Sequence, residues 1–429
     1  MKKWLSLLLT LLLAAFLVAC SGGSDDASKD GNNDGGKSNG DENKTEQTVH
    51  LAVWASSPAE SNALEETVKS FEAKTGINVE IEVIADSFQD VITTRFAGNN
   101  PPDVFYLEAY VAPRFIDSGV LLDLTNEIED QDDFYQPLLN AFKDPDGKLF
   151  AVPKDYSTLA TYVNTDLLAE AGYSIEDVPT DWEGLVEFAK ELQPKLPEGT
   201  AAMVFDATMA RHLSAFLAAG LDPVTEDGKA DLTSSQAALD YLQSIVQGQD
   251  DGYILHAQMD LGLDWAGAAF GAQKAAIMIE GNWVLSALNQ DYPDVNYEIL
   301  ESPTVNGNKQ TMIFTVGYAI AKDTKVKDAA VEFVKFMTGE GQQQWSEGSG
   351  TLPTRQSVAE AMKLDTNENL KAHVEGANYG TPWTRGLYLP VIASAFDNQF
   401  QAALNGDLTI EEAMKAAEDE ANAEIERQQ

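Results

Sequence analysis

The residues with the clearest chemical use are tryptophans and carboxylates placed just beyond strand-like runs. Trp283 closes the stretch Phe270-Gly-Ala-Gln-Lys-Ala-Ala-Ile-Met-Ile-Glu-Gly-Asn-Trp283. Its apolar run Ala275 to Ile279 predicts a short buried strand of the parallel kind, covered on both faces, with a turn at Gly281. Ligands of open α/β sheets lie in the crevice beyond the carboxyl ends of such strands. An indole offers a broad apolar face and one N–H donor, which suits the C–H face of a sugar ring; taken alone, Trp283 reads as core packing. Trp54 with Ser56 and Ser57, Asp86, and Glu108 with Tyr110 follow three other predicted strands. Singly each is a cap or a solvated side chain; together they form a ligand-facing rim. His50, His212, His256 and His373 are scattered without metal-like spacing, so no metal site and no cofactor is expected. From residue 48 onward the sequence has no Gly-x-Ser-x-Gly elbow, no Walker loop and no His-Glu-x-x-His pattern.

The elements that must position these residues are legible from periodicity. Val49, Leu51 and Val53 alternate as a strand. Ser57-Pro-Ala-Glu60 is a capping box with proline at the first helical position, and the helix it opens ends at Gly76. Ile77 to Val83 alternates again, a helix follows from Phe88 to Gly98, and Pro101-Pro102-Asp103 enters a third strand over Val104 to Leu107. That βαβαβ order opens a doubly wound parallel sheet. Further along, Leu149 to Asn164 reads as an extended segment through Pro153 into a strand, with Thr165 capping the next helix. Thr180-Asp-Trp-Glu183 reads as a second capping box, with Trp182 in the core. Asp206 follows a short strand at Met203 to Phe205. A short helix spans Leu263 to Phe270, and a long strand runs from Met312 to Ala321 with Gly317 inside it, where an interior glycine marks close backbone approach.

At 429 residues the chain is too long for one ordinary core, which favours two domains. A formal net charge of -41 argues against nucleic acid or an anionic lipid surface as the main partner. Lys2 and Lys3 precede an apolar stretch, Leu5 to Leu17, too short for a typical membrane span, which ends in Leu17-Val-Ala-Cys20. This resembles a bacterial lipobox and implies a signal peptide over 1–19 and lipidation of Cys20. Residues 20–47 carry almost no apolar side chain beyond it and read as a flexible tether.

From residue 48 onward the chain resembles the extracellular solute-binding proteins of bacterial carbohydrate ABC importers, the family that includes maltose-binding protein. The resemblance rests on an ordered set: Pro101-Pro-Asp-Val104, Gly119-Val-Leu-Leu-Asp-Leu124, Ala151-Val-Pro153, Tyr162-Val-Asn164-Thr-Asp-Leu-Leu, Pro179-Thr-Asp-Trp182, Phe270 to Trp283, Gly317-Tyr-Ala-Ile, Ala329 to Phe336, and Gly350-Thr-Leu-Pro353-Thr-Arg355. It implies an α/β fold of the periplasmic-binding-protein type II, two lobes with mostly parallel sheets joined by a hinge. One lobe would hold 48–155 and 318–370, the other 156–317 and 371–429. By position it implies that Trp283 stacks on sugar, that Glu108 and Tyr110 lie in a ligand loop, that Asp155 and Tyr156 lie in the hinge, and that Trp383 and Arg385 supply a late aromatic patch. Gly317 would be a backbone contact. The implied protein is a monomer without enzymatic activity, held at the outer face of the cell membrane or in the periplasm, that delivers sugar to a permease.

A neutral sugar needs flat aromatics and buried acceptors. Carboxylates accept charge-assisted bonds from hydroxyls worth about 1.5–3 kcal/mol each. Asp155, Glu108 and Asp206 would set which hydroxyls fit, while Trp54, Trp265, Trp283 and Trp383 stack. Trp265 as core, Asp206 as a helix cap and Arg385 as the partner of a surface acid are the competing readings. A polyamine or other charged solute in the same fold, or a secreted glycosidase using two acids, is the alternative function.

Overall fold

The computed structural model describes residues 47–429. The leader, Cys20 and the tether up to residue 46 lie outside the described residues, so nothing in the structure bears on their expected processing. Among the described residues no helix is long and apolar enough to cross a membrane.

Ten strands follow in chain order: β1 Thr48–Trp54, β2 Asn78–Ile84, β3 Val104–Glu108, β4 Ala151–Asn164, β5 Ala201–Phe205, β6 Ile254–His256, β7 Ala275–Gly281, β8 Tyr297–Leu300, β9 Met312–Ile320 and β10 Thr381–Pro382. Their spatial order is β2-β1-β3-β9-β4-β7-β5-β6, with β10 beside β9 and β8 beside β4. The opening βαβαβ unit forms as its periodicity predicts, with β1 parallel to both β2 and β3. Ser57 caps the intervening helix Pro58–Thr75 by accepting the Glu60 N–H at 3.3 Å. Gly76 ends it at φ 72°, a left-handed conformation that glycine adopts without a Cβ penalty.

The centre of the sheet departs from the parallel pattern. β9 is antiparallel to β3 and β4, and β4 is antiparallel to β7 and β8. The expectation that Ala275–Ile279 has only parallel neighbours is therefore corrected: β7 runs parallel to β5 but antiparallel to β4. Its apolar run is explained by cover on both faces, which the returning strand β4 and the packed helices supply as well as a parallel neighbour would. β4 is one 14-residue strand. Its first half pairs with β9 and its second half with β7 and β8. Val152 belongs to a core shared with β1, β3 and helix Lys327–Met337, whereas Val163 belongs to one shared with helices Trp182–Leu192, Gln236–Asp250 and Leu389–Leu404.

Two caps sit one residue away from their sequence assignment. Asn164, not Thr165, caps the helix after β4, through its side-chain oxygen on Leu167 N at 3.0 Å. Asp181, not Thr180, caps Trp182–Leu192, accepting Gly184 N–H at 2.9 Å. In each case the side chain that reaches the third helical N–H decides. Trp182 is in the core as expected, with its indole N–H donated to Ser244 at 2.9 Å.

Candidate functional site

Residues directly opposite one another in antiparallel strands project to the same face, and faces alternate along each strand. Val316 lies opposite Glu108 on one side and Asp155 on the other, and Phe314 lies opposite Ser157. One face of the sheet therefore carries Glu108, Asp155, Ser157, Phe314 and Val316. Tyr106 and Tyr318, also opposite each other, continue it, and Trp54 packs edge-on against Tyr106 with ring centroids 4.9 Å apart.

The same alternation sends Tyr156 to the other face. It is 1% exposed among Leu138, Ile313 and Leu352, edge-on to Tyr135. The expected pairing of Asp155 with Tyr156 in one site is corrected, because neighbours in an extended strand cannot both face one cleft. The Tyr156 hydroxyl has no hydrogen-bond partner. Tyr156→Phe is expected to leave ligand affinity unchanged and stability equal or higher by about 1 kcal/mol; urea denaturation and a binding titration check both.

On the wall near β1, Trp54 and Glu108 line a cavity of about 270 Å³ with Ser87, Phe88 and Gln89. Crowding by protein raises the Glu108 carboxyl above its ordinary range, and a bond from Gln89 partly offsets this. Ser57 is committed to its helix cap, with its oxygen on the Glu60 N–H.

Opposite stands the wall around β7. Trp283 lies with its benzo edge over Gly281, where a Cβ would sit 2.1 Å from the ring. Phe314 meets it edge-on at 5.3 Å. The Arg211 guanidinium lies 5.1 Å from the indole centroid and bonds Glu280 at 2.8 Å. Glu280 is fully buried and also accepts the Gly281 N–H; burial raises its carboxyl, and Arg211 opposes that rise. Asp206 accepts the Ala266 N–H through both oxygens at 3.2 Å, so it caps helix Ala266–Gly271. Trp265 sets its benzo edge over Gly267 and packs on the core formed by Tyr162, Phe270 and Met278.

Between the walls runs a line of rings. Trp283, Phe314 and Trp383 share one cluster with Leu159, Leu213 and Met312. Tyr110 stacks face to face on Trp383, centroids 5.0 Å apart and planes 9° from parallel. Burial and the Asp397 charge push the Tyr110 phenol up to about 12. Arg385 lines a groove of about 980 Å³ that reaches from Pro113 and Asn140 to Thr225 and Tyr388, and it pairs with Asp222 at 3.4 Å. Gly317 faces away from the site: a Cβ there would come within 3.1 Å of Ala151 and Phe142, so the glycine serves close packing within the fold.

The structure thus brings together Trp54 with Glu108, Trp283 with Trp383, and Trp383 with Tyr110. It adds Ser157, Arg211, Phe314, Glu60 and Lys154, which the sequence reading did not select. Ser157 is the single position of β4 that is not buried; alternation from Asp155 is the signal that would have found it. Arg211 and Glu280 are 69 residues apart, and no local pattern couples them.

Comparison with known proteins places this architecture. The chain is 24% identical to the diacetylchitobiose-binding protein of Streptomyces coelicolor over 351 residues, covering 77% of this chain and 79% of that one. It is 24% identical to the lactose-binding protein of Rhizobium radiobacter over 411 residues, 88% and 93% of the two chains. Among solved structures, an ABC substrate-binding protein of Listeria monocytogenes in complex with cycloalternan superposes with a TM-score of 0.78 at 24% identity, covering 89% of this chain and 99% of that one. The cyclic alpha-maltosyl-1,6-maltose-binding protein of Arthrobacter globiformis gives 0.76 at 20% identity, with 89% and 99% covered. These likenesses show the type II two-lobed fold of periplasmic binding proteins. Residues 66–372, well over half of the chain and including the crossing strands β4 and β9, match the bacterial extracellular solute-binding protein family, and the chain belongs to that family.

Proposed function

We propose that this protein captures a neutral sugar or oligosaccharide in the cleft between two lobes and hands it, chemically unaltered, to the membrane permease of an ABC importer. The observation that carries this reading is the row of rings Trp283, Phe314, Trp383 and Tyr110, running beside the sheet face that holds Glu108, Asp155 and Ser157. Flat rings take the C–H faces of sugar; carboxylates and a hydroxyl take its O–H groups. The sugar-binding relatives named above agree with it. The crossing strands β4 and β9 would act as the hinge, so that 48–155 with 318–370 moves against 156–317 with 371–429. Ligand that touches both walls shifts the open–closed equilibrium towards closure. The protein would act as a monomer, held outside the cytoplasm by lipid on Cys20.

Calorimetric titration of the purified protein with mono- and oligosaccharides tests this. Saturable one-to-one binding is expected, weakened about tenfold or more in Trp283→Ala, since a stacked ring contributes on the order of 1–3 kcal/mol. Silence across neutral sugars, or steady heat from turnover, would overturn the reading.

A further inference from the structure

The bulge in β4 creates a second feature of this cleft. Pro153 pairs with Gly317 and Asp155 with Val316, so Lys154 is an inserted residue. A bulge re-aims side chains, and here it lets two consecutive residues meet: the Lys154 ammonium bonds the Asp155 carboxylate. Side chains bind the carbonyls of the bulge. Thr354 donates to Pro153 O at 2.8 Å, Thr315 to Asp155 O at 2.8 Å and Gln342 to Lys154 O at 3.5 Å.

Lys154 is 2% exposed. Its ammonium lies 4.6 Å from the Tyr106 ring centroid and 4.3 Å from that of Trp345. Glu60, at the start of helix Pro58–Thr75, faces the same charge: burial raises its carboxyl, the Lys154 ammonium lowers it, the Asp155 charge raises it, and Ser56 and Ser57 lower it. Tyr318 stands edge-on to Tyr106, ring centroids 5.5 Å apart, and feels the Asp155 charge. Two rings and a bonded carboxylate around one ammonium, with the Glu60 charge felt beyond them, are the components of a receptor for an organic cation.

We propose that Lys154 is a built-in occupant of an aromatic–carboxylate cage in the ligand cleft, which makes the cleft select uncharged glycans over amines and polyamines. Lys154 is a positioning residue: it holds Asp155 in place while that carboxylate accepts ligand hydroxyls. This rests on the sugar-binding reading, and it accounts for a cleft with acids and aromatics that is nonetheless built for a neutral ligand. The cation such a cleft would attract is already supplied by the chain.

The test uses Lys154→Ala, which deletes an n-propylammonium-sized piece, and Lys154→Met, which keeps the bulk and loses the charge. Wild type is expected to bind a neutral oligosaccharide with no response to n-propylammonium. Both variants lose about tenfold or more in affinity. Added n-propylammonium restores Lys154→Ala and not Lys154→Met, because only the first has room. A purely structural lysine would give affinity losses that the amine does not repair. Unchanged glycan affinity in both variants, or repair of neither, overturns the proposal. If wild type binds no glycan, the sugar reading falls by itself. Thermal melts then still read the cage: n-propylammonium must raise the Tm of Lys154→Ala and leave wild type unmoved, and without that difference the cage falls too.

Discussion

Arg211→Met is expected to destabilise the protein by about 3–5 kcal/mol, the usual cost of stripping the partner from a buried charge. Glu280 is fully buried on β7, and its two oxygens take Arg211 and the Gly281 N–H. Without the guanidinium the carboxylate either keeps an uncompensated charge or takes up a proton. The pH dependence distinguishes these from loss of packing on Trp283. Burial already raises the folded-state value of Glu280 above 4.5, and Arg211 opposes the rise. In the variant that opposition is gone, so the folded value climbs further. A carboxyl with a raised folded value holds more protons folded than unfolded, so its contribution falls as pH rises from the unfolded value through the folded one. The deficit of Arg211→Met against wild type should therefore be largest near neutrality and shrink on acidification towards 4.5. Arg211→Met/Glu280→Leu, which removes both charges, should recover most of the loss. Urea denaturation of the three proteins across pH decides it: a pH-independent deficit that the double variant does not relieve would sink the electrostatic account.

How much of this could be seen beforehand depends on whether the signal was local. The βαβαβ opening was legible because Val49, Leu51 and Val53 alternate, Ser57-Pro58 starts a helix, and Gly76 stops it. Strand ends were legible as well, which is why Trp54, Glu108 and Trp283 were selected, all three set along the two walls. Tyr156 failed for a reason that lies in the same periodicity: choosing Asp155 already excludes its neighbour. Asp206 and Ser57 were placed at the right strand and helix ends, but their oxygens are taken by backbone N–H groups. The remaining site members were illegible because they are made by tertiary pairing. The antiparallel return of β9 between β3 and β4 sets Glu108 and Asp155 opposite one residue, Val316. A one-residue bulge, not composition, turns Lys154 onto the same face as Asp155. The family resemblance supplied the two-lobe architecture, which periodicity alone did not reach beyond β3.

Acid is expected to weaken the fold through two buried histidines. His373 is fully buried on helix Lys371–Tyr379; it pairs with the Tyr162 hydroxyl at 2.7 Å and with Thr158 O at 2.8 Å, both on β4. Burial lowers it to about 4. His212 is buried among Phe205, Phe396 and Phe400, bonds the Tyr241 hydroxyl at 3.0 Å, and is lowered to about 3, mainly by burial. The unfolded chain protonates both near pH 6.5, while the folded chain resists until pH 3–4. Below 6.5 the unfolded state therefore binds more protons, and stability falls with pH until the folded values are reached. At about 1.4 kcal/mol per unit, each histidine accounts for a loss on the order of 3–5 kcal/mol. Buried carboxyls work the other way: Asp397, raised to about 6, regains stability over part of the same window. The two histidines outweigh it because their displacements are larger. Urea midpoints from pH 7 to pH 4 should fall, and the fall should shrink in His373→Gln and in His212→Asn. Equal slopes in all three proteins would remove the histidines from the account. His373 also ties its helix to β4, the strand shared by both cores. Below pH 6.5 a proton is taken up whenever this contact opens locally, so exchange protection at Thr158 to Tyr162, corrected for the intrinsic rate, should drop by pH 5 before protection in the core around Val49 and Leu51 does.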